Sequence, residues 1–541
     1  GSNALWVEAK DDLGNGGGDL RSFLWSTSYL QPDPAVEGAG LLLPGEVAWI
    51  SALAFDDQDH SAPANELATL FEAVLGAWDI QTSIPDPLVS NLAAWGMGIY
   101  AASLTGFEYQ KATAVLKTTD SGLQLVATFE QPTGSLPLSK TGCGAAFPEP
   151  CFGPDTISGD LSLEALEVRA DLIVTVDDAH RVQVAVAGVT VALLGLSLDI
   201  NGNSWLLDPL LLGLPDALEG SISSGFQQGV APGLADLLRQ TLQGLAWNFT
   251  TRIDKPDGSV DPLSGDPVGV QIQVVSDFQT LTFTKDLGAN LSFRSRALPQ
   301  FSTTRSQDLE PPLGIPARVG CNQPPSPPTA PALAPLEQVL VLDLVNEALY
   351  FAWAGGLLDF QVTEALLGGT DPSLFGLTDL TLEVQTLLPP LLSDCTPDGA
   401  LRLQVGQLQL LATGSFYGEP FSTTTRAALE LDATWAQCPD GLALETGEIF
   451  NLQALTELQG DGPLEVEFLV NELAQMALIP ALTARLATTP LLEFPVPPPL
   501  VVMGSAGTVA IQPAPVAEPP APNHEAGQAV LFSAFAPFVL E

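Results

Sequence analysis

Histidine is nearly missing from this chain of 541 residues: only His60, His180 and His524 occur, in separate segments. That argues against a histidine metal site and against a serine or cysteine triad, since both need imidazole beside other reactive groups. Basic residues are scarce as well, 18 Lys and Arg against 63 Asp and Glu, for a net charge of −45. A chain so acidic is no partner for nucleic acid, whose binding rests on neutralising phosphates. Phosphate loops, dinucleotide fingerprints, nucleophile elbows and paired-cysteine motifs are all absent. The stretch "GSISSG" at 220–225 lacks the elbow spacing. Carboxylates abound, but no pair is singled out by its surroundings as an acid/base dyad. The expectation is a protein without catalytic activity, cofactor or metal. No uninterrupted apolar run reaches about eighteen residues, so no transmembrane helix is expected.

What the chain does have is apolar side chains. They make up 46% of it, against 15% charged residues, and mean hydropathy is +0.25. Such hydrophobicity argues against disorder despite the charge, and implies large buried cores. At about 150 residues per domain the length allows two to four of them. The opening "GSNA" has the form of a cleaved expression-tag remnant, so a leader would lie upstream. Cys143 and Cys151 flank a short loop and suit a local disulfide, while Cys395 and Cys438, both in turn-like sequence, suit a second; Cys321 is left over. The alternative is five free thiols in a reduced compartment. Turn-placed cysteines and few lysines favour an extracytoplasmic location: secreted, periplasmic or lipid-anchored.

Residues 1 to about 55 read as irregular, with "GNGGG" at 14–18. The oxygen-bearing side chains of Asp12, Asn15 and Asp19, or of Asp56, Asp57 and Asp59, miss the spacing of a calcium loop and read as solvated loops. Helical periodicity begins at 64–81, where Leu67, Leu70, Phe71, Val74, Leu75 and Trp78 share a face. Strand-like alternation follows at 122–129, 161–176 and 181–200, then again at 268–275 and 280–284. Between them lies a long helical stretch from about Pro215 to Trp247. There Leu218, Ile222, Phe226, Val230, Leu234, Leu238 and Leu242 recur at every fourth position. Such a stripe creeps about 40° per step around a helix, which fits a partner sheet that twists, with Pro232 bending the axis. The segment 316–335 holds seven prolines and reads as an extended linker. The one relative concentration of basic residues, Lys285, Arg294, Arg296, Arg305 and Arg318, reads as solvated strand positions.

The chain repeats itself. A shift of 248 places Pro215 on Pro463, Pro232 on Pro480, Leu218 on Val466, Ile222 on Val470, Val230 on Leu478 and Leu234 on Leu482. Earlier helices agree too: Asn65-Glu66 with Asn346-Glu347, and "DIQ" at 79–81 with "DFQ" at 359–361. The pattern is helix, antiparallel strands and a long kinked helix, twice over.

The stretches "VLDLVNEALYFAWAGGLLDFQV" and "FLVNELAQMALIPALTARLATTPLLEFPVPPP" resemble the C-terminal barrel of the bactericidal/permeability-increasing protein family, within the tubular lipid-binding superfamily. The resemblance covers roughly residues 61–541, by pattern more than by identities. It implies an α+β fold of two pseudo-symmetric elongated barrels. Each would be a highly twisted antiparallel sheet wrapped around a long kinked helix, with a central sheet joining them into a boomerang. Residues 1–60 would be an N-terminal extension, 61–255 the first barrel, 256–335 the central strands and linker, and 336–541 the second barrel. Non-enzymatic binding or transfer of lipid or another hydrophobic small molecule is implied, with transient membrane contact and an apolar pocket under each long helix. The expected lining is Leu67, Phe71, Ile222, Phe226, Val230, Leu234 and Leu238 in the first barrel, and Leu349, Val470, Ala474, Leu478 and Leu482 in the second. The antibacterial relatives are basic at their N-terminal tip, whereas this chain is acidic throughout, so endotoxin binding does not carry over. Their disulfide to the first long helix is also missing, since 215–247 contains no cysteine.

The competing reading is a structural or adhesive surface protein whose barrels are filled by side chains. Ala474 and the glycines near the helices favour a cavity. A lipid hydrolase fails for want of a nucleophile motif.

Overall fold

The computed structural model describes residues 2–538 except 11–15, 27, 61–63, 95–97, 144–152, 201–206, 256–257, 261–267, 301–313, 318–331, 363–371, 397, 460–463, 489–490, 505–506 and 526. The fold is α+β, with few helices and curled antiparallel sheets in both halves. Its helices are α1 (Ala52–Phe55), α2 (Leu67–Gly76), α3 (Leu207–Gly225), α4 (Ala231–Gly244), α5 (Leu342–Ala354), α6 (Leu464–Leu473) and α7 (Ile479–Thr488). No helix among the described residues is long and apolar enough to cross a membrane.

The sheet between the halves draws strands from both. Its order is 249–254, 269–284, 288–299, 42–51, 336–341, 528–537, 507–515 and 500–504. At its centre strands 42–51 and 336–341 run antiparallel, with Ala48 opposite Gln338. Strand Leu42–Ser51 lies inside the stretch expected to be irregular. Six successive residues in it are buried, so it lacks the alternation that marks a half-exposed strand, as strands covered on both faces do. Residues 2–10 and 16–24 were expected to be irregular too, and they pair as a hairpin. That hairpin docks on the second half: the Ser2 and Ser22 amides donate to Gln404 and Gln407 at 2.9 and 2.7 Å.

Two large cores form among the described residues, and each is closed by strands from the other half. The first joins the first-half residues to Leu500, Ile511 and Phe535; the second takes in Trp247, Ile272 and Val274. The short helices follow the same exchange, α2 packing on strands 500–504 and 507–515 and α5 on strands 269–284 and 288–299. In the second half, strands 377–386, 402–416, 419–438, 441–458 and 492–495 form one sheet, on which α6 and α7 lie.

Each long helix is interrupted at the same place. α3 and α4 are joined by a π-turn at Phe226–Val230, and α6 and α7 by one at Ala474–Leu478, again 248 residues apart. The Ala231 amide bonds back to the Phe226 carbonyl, and the Ile479 amide to the Ala474 carbonyl. A proline stands two residues beyond the π-turn in both copies (Pro232 and Pro480). Its missing N–H removes an α-helical bond, and the wider turn absorbs the gap. One extra residue sets the apolar stripe back by about 100°. Over six four-residue steps the drift of a regular helix would reach about 240°, yet Leu218, Ile222, Phe226, Val230, Leu234, Leu238 and Leu242 are all 0–3% exposed. The π-turn is a large part of why the four-residue interval stays buried. The first long helix also starts earlier than expected, at Leu207, with Pro215 inside it.

Cys438 is a free thiol; its Sγ–H donates to the Gly441 carbonyl at 3.4 Å, across the turn that follows its strand. It therefore does not pair with Cys395. Cys151, Cys321, Asp12, Asn15 and most of the proline-rich segment lie outside the described residues.

Candidate functional site

In the first half, aromatic rings occupy the space under the π-turn. Trp78, just beyond the end of α2, sits edge-on to Phe226 and to Phe129, with ring centroids 5.8 Å apart in both pairs. The Tyr109 hydroxyl holds that helix end, donating toward the Leu75 and Trp78 carbonyls at 3.0 Å. On the helix itself Gly225 is needed for close approach: a Cβ there would lie 2.1 Å from the Ser83 Cβ. Leu67, Phe71, Ile222, Phe226, Val230, Leu234 and Leu238 are brought together here, every one at least 97% buried, in one continuous core.

The second half is built on the same plan with smaller side chains. The "DIQ" and "DFQ" segments align so that Leu358 stands where Trp78 stands, and the 248-residue shift puts Ala474 at the position of Phe226. A cavity of about 50 Å³ lies beside Leu358, between α5, α7 and the sheet. Leu349 of α5, Leu357 and Leu358 of the following turn, Ile479 of α7, and Leu403 and Leu429 of the sheet contribute to its wall. Its one polar side chain is Thr483, whose hydroxyl is committed to the Pro480 carbonyl at 3.0 Å. The cavity therefore offers a ligand no hydrogen bond from a side chain. On this scale about 10–15 Å³ suffices for one water, and apolar spaces of this kind stay dry.

Polar bonds set the distance between α5 and the sheet. Asn346 makes two bonds to Leu392, donating to its carbonyl at 2.9 Å and accepting from its amide at 2.7 Å. The Trp353 indole donates to the Thr386 carbonyl at 2.8 Å. Held at both points, α5 cannot collapse onto the strands.

Of the residues expected to line the second pocket, Leu349 does so. Val470, Ala474 and Leu478 are buried in the same core without forming the cavity wall. The Leu482 side chain lies outside the described residues. The sheet residues were missed because periodicity along 402–416 misleads. Leu403, Val405 and Leu408 all face inward across a register shift between Val405 and Leu408, where Gln407 takes φ +52°. Strict alternation would have put Gln407 inside.

Two further glutamates are buried near the junction of the halves. Burial pushes the Glu46 carboxyl up to about 8, although it accepts the Trp247 amide at 3.1 Å. Glu347 is pushed up to about 8 by burial as well, and accepts the Ala297 amide at 2.8 Å.

No family model and no curated protein matches the chain. Among solved structures, the crystal structure of lipopolysaccharide binding protein is 14% identical, covering 92% of this chain and 100% of that one, at a TM-score of 0.42. P47 of Clostridium botulinum E1 is 8% identical, covering 87% and 98%, at 0.25. P47 from Clostridium botulinum A2 is 8% identical, covering 87% and 96%, at 0.23.

Proposed function

We propose that this protein is a non-enzymatic binder of a lipid or similar hydrophobic molecule, with the site in its second half. One observation carries the reading: the cavity between α5, α7 and the sheet is walled by apolar side chains, its one hydroxyl already bonded to the helix backbone. Such a wall selects for apolar surface and offers no side-chain group for chemistry. Each methylene moved there from water gains about 0.8 kcal/mol. A membrane offers nearly the same gain, so exchange between the two is close to neutral and needs only shelter from water.

As it stands the cavity admits a short apolar stretch. Admission of a whole acyl chain requires α7 to move outward, and the π-turn at Ala474–Leu478 is where the helical ladder is already interrupted, one residue before Ile479. The first half carries the competing reading within it: Trp78, against both Phe129 and Phe226, fills the space under its π-turn. The proposed location is extracytoplasmic, supported by Cys143 and Cys395 being disulfide-bonded. Mass spectrometry of an organic extract of the purified protein, with saturable binding of a fluorescent fatty acid, tests the reading. Neither co-extracted lipid nor saturable binding would end it.

A further inference from the structure

The loop between α1 and α2 gathers side chains that the sequence scatters. Asp56 follows α1, Glu66 precedes α2, and His60 lies between them. One donor atom from each lies within 4.8 Å of the other two, and His60 Nε2 is 4.0 Å from Asp56 Oδ1.

The two carboxylates are fixed by the backbone. Asp56 accepts the Gln58 amide at 2.8 Å on Oδ1 and the Leu116 amide at 2.9 Å on Oδ2. Glu66 accepts the Asp57 amide on Oε2, which leaves Oε1 unused by that bond. That oxygen is buried with no hydrogen-bond partner, on a residue only 1% exposed. An unpaired carboxylate oxygen in such a place costs far more than an ordinary unmade bond. Behind the histidine, Nδ1 lies 2.9 Å from Glu72 Oε1, off the line of a hydrogen bond. Metal-bound histidines commonly present their second ring nitrogen to a carboxylate in this way.

We propose that Asp56, His60 and Glu66 bind one divalent transition-metal ion with the preferences of zinc, backed by Glu72. Two carboxylates and an imidazole suit such an ion. Calcium, which takes six to eight oxygens, is not matched by this set. Ligands about 2.1 Å from a tetrahedral ion sit roughly 3.4 Å apart, so the group must contract by at most about 1.4 Å at any edge, and by about 0.6 Å between His60 and Asp56. His60, on a loop, is the group free to do so. The ion ties Asp56 and His60 to Glu66 at the start of α2, whose Leu67, Leu70 and Phe71 are fully buried in the first core. Its role is to hold α2 in place, independent of the apolar cavity in the other half.

The test uses the whole protein, stripped with a chelator and dialysed. Titration with Zn²⁺ alone, followed by calorimetry, should show one tight equivalent above the weak binding expected of so acidic a surface, together with a rise in Tm. Co²⁺ in its place should give the intense visible bands of a four- or five-coordinate site. Glu66→Gln and His60→Ala should each weaken the tight equivalent by at least 50-fold, while Asp120→Asn should leave it unchanged. Should a variant fail to fold by circular dichroism, the Co²⁺ spectrum of the unaltered protein decides alone. A pale octahedral spectrum, the absence of a tight equivalent, or tight binding that survives in folded variants would overturn the proposal. Lipid content serves as a separate readout and is expected to stay the same in both variants.

Discussion

The Trp247 indole donates to the Pro495 carbonyl at 2.9 Å, and the two residues occupy the same position of the two repeats, 248 apart. The end of the first long helix is thereby tied to the strand that follows the second. The two central strands complete the joint. Glu46 accepts the Trp247 amide at 3.1 Å, and Gln338 donates to the Leu245 carbonyl at 2.7 Å, satisfying a carbonyl that the helix end leaves open.

Trp247 is 3% exposed and packs on Phe494, with ring centroids 5.3 Å apart. Trp247→Phe should cost about 1–2 kcal/mol through the lost hydrogen bond and indole edge, and Trp247→Ala about 3–5 kcal/mol. Urea denaturation measures both. An alanine variant as stable as the parent would mean that this contact does not join the halves.

Glu46 and Glu347 give stability a pH dependence of defined sign. Both carboxyls are raised from 4.5 to about 8, chiefly by burial, so the folded protein holds protons that the unfolded chain has released. Their contribution is fully present below about pH 4.5 and is lost as pH rises through 8. The double variant Glu46→Gln, Glu347→Gln keeps an acceptor at each site without the charge. Its Tm should approach that of the parent near pH 4.5 and exceed it increasingly up to pH 8. Parallel Tm curves across that range would show that burial is not setting these carboxyls.

Cys438 should be the cysteine that reacts with a thiol reagent when no reductant is present, since it is the free one among the described residues and is half-buried. Labelling followed by peptide mass mapping reads this directly. Modification of Cys395 in the native protein would count against the extracytoplasmic proposal.

Periodicity made the helices legible, and the 248-residue repeat set Pro232 and Pro480 at matching places in the two long helices. It could not reveal the π-turns themselves, because an added residue in a helix leaves no composition behind. The central strand 42–51 was hidden for a different reason: burial on both faces erases alternation. His60 is hard to read from sequence because the three histidines lie far from one another, whereas its neighbours in space are Asp56, Glu66 and Glu72. At the cavity, Ala474 is not part of the wall, which includes sheet residues whose parity changes at Gln407.

The contrast between the halves allows an exchange experiment. Trp78 fills the space under the first π-turn, and its counterpart Leu358 borders the cavity near the second. Leu358→Trp should fill that cavity as the indole does in the first half. Because space is already present, overpacking should cost less than the usual ~1–3 kcal/mol, and binding of a fluorescent fatty acid should fall at least tenfold. The reverse change, Trp78→Leu, leaves a void among Phe129, Phe226 and Tyr109 and should cost roughly 2–4 kcal/mol, near the range for large-to-small core changes. If the repeats are equivalent in architecture, that void should also admit the probe, giving a second binding event. Unchanged probe binding in Leu358→Trp, with the protein folded, would place the ligand elsewhere and return the second half to the side-chain-filled reading.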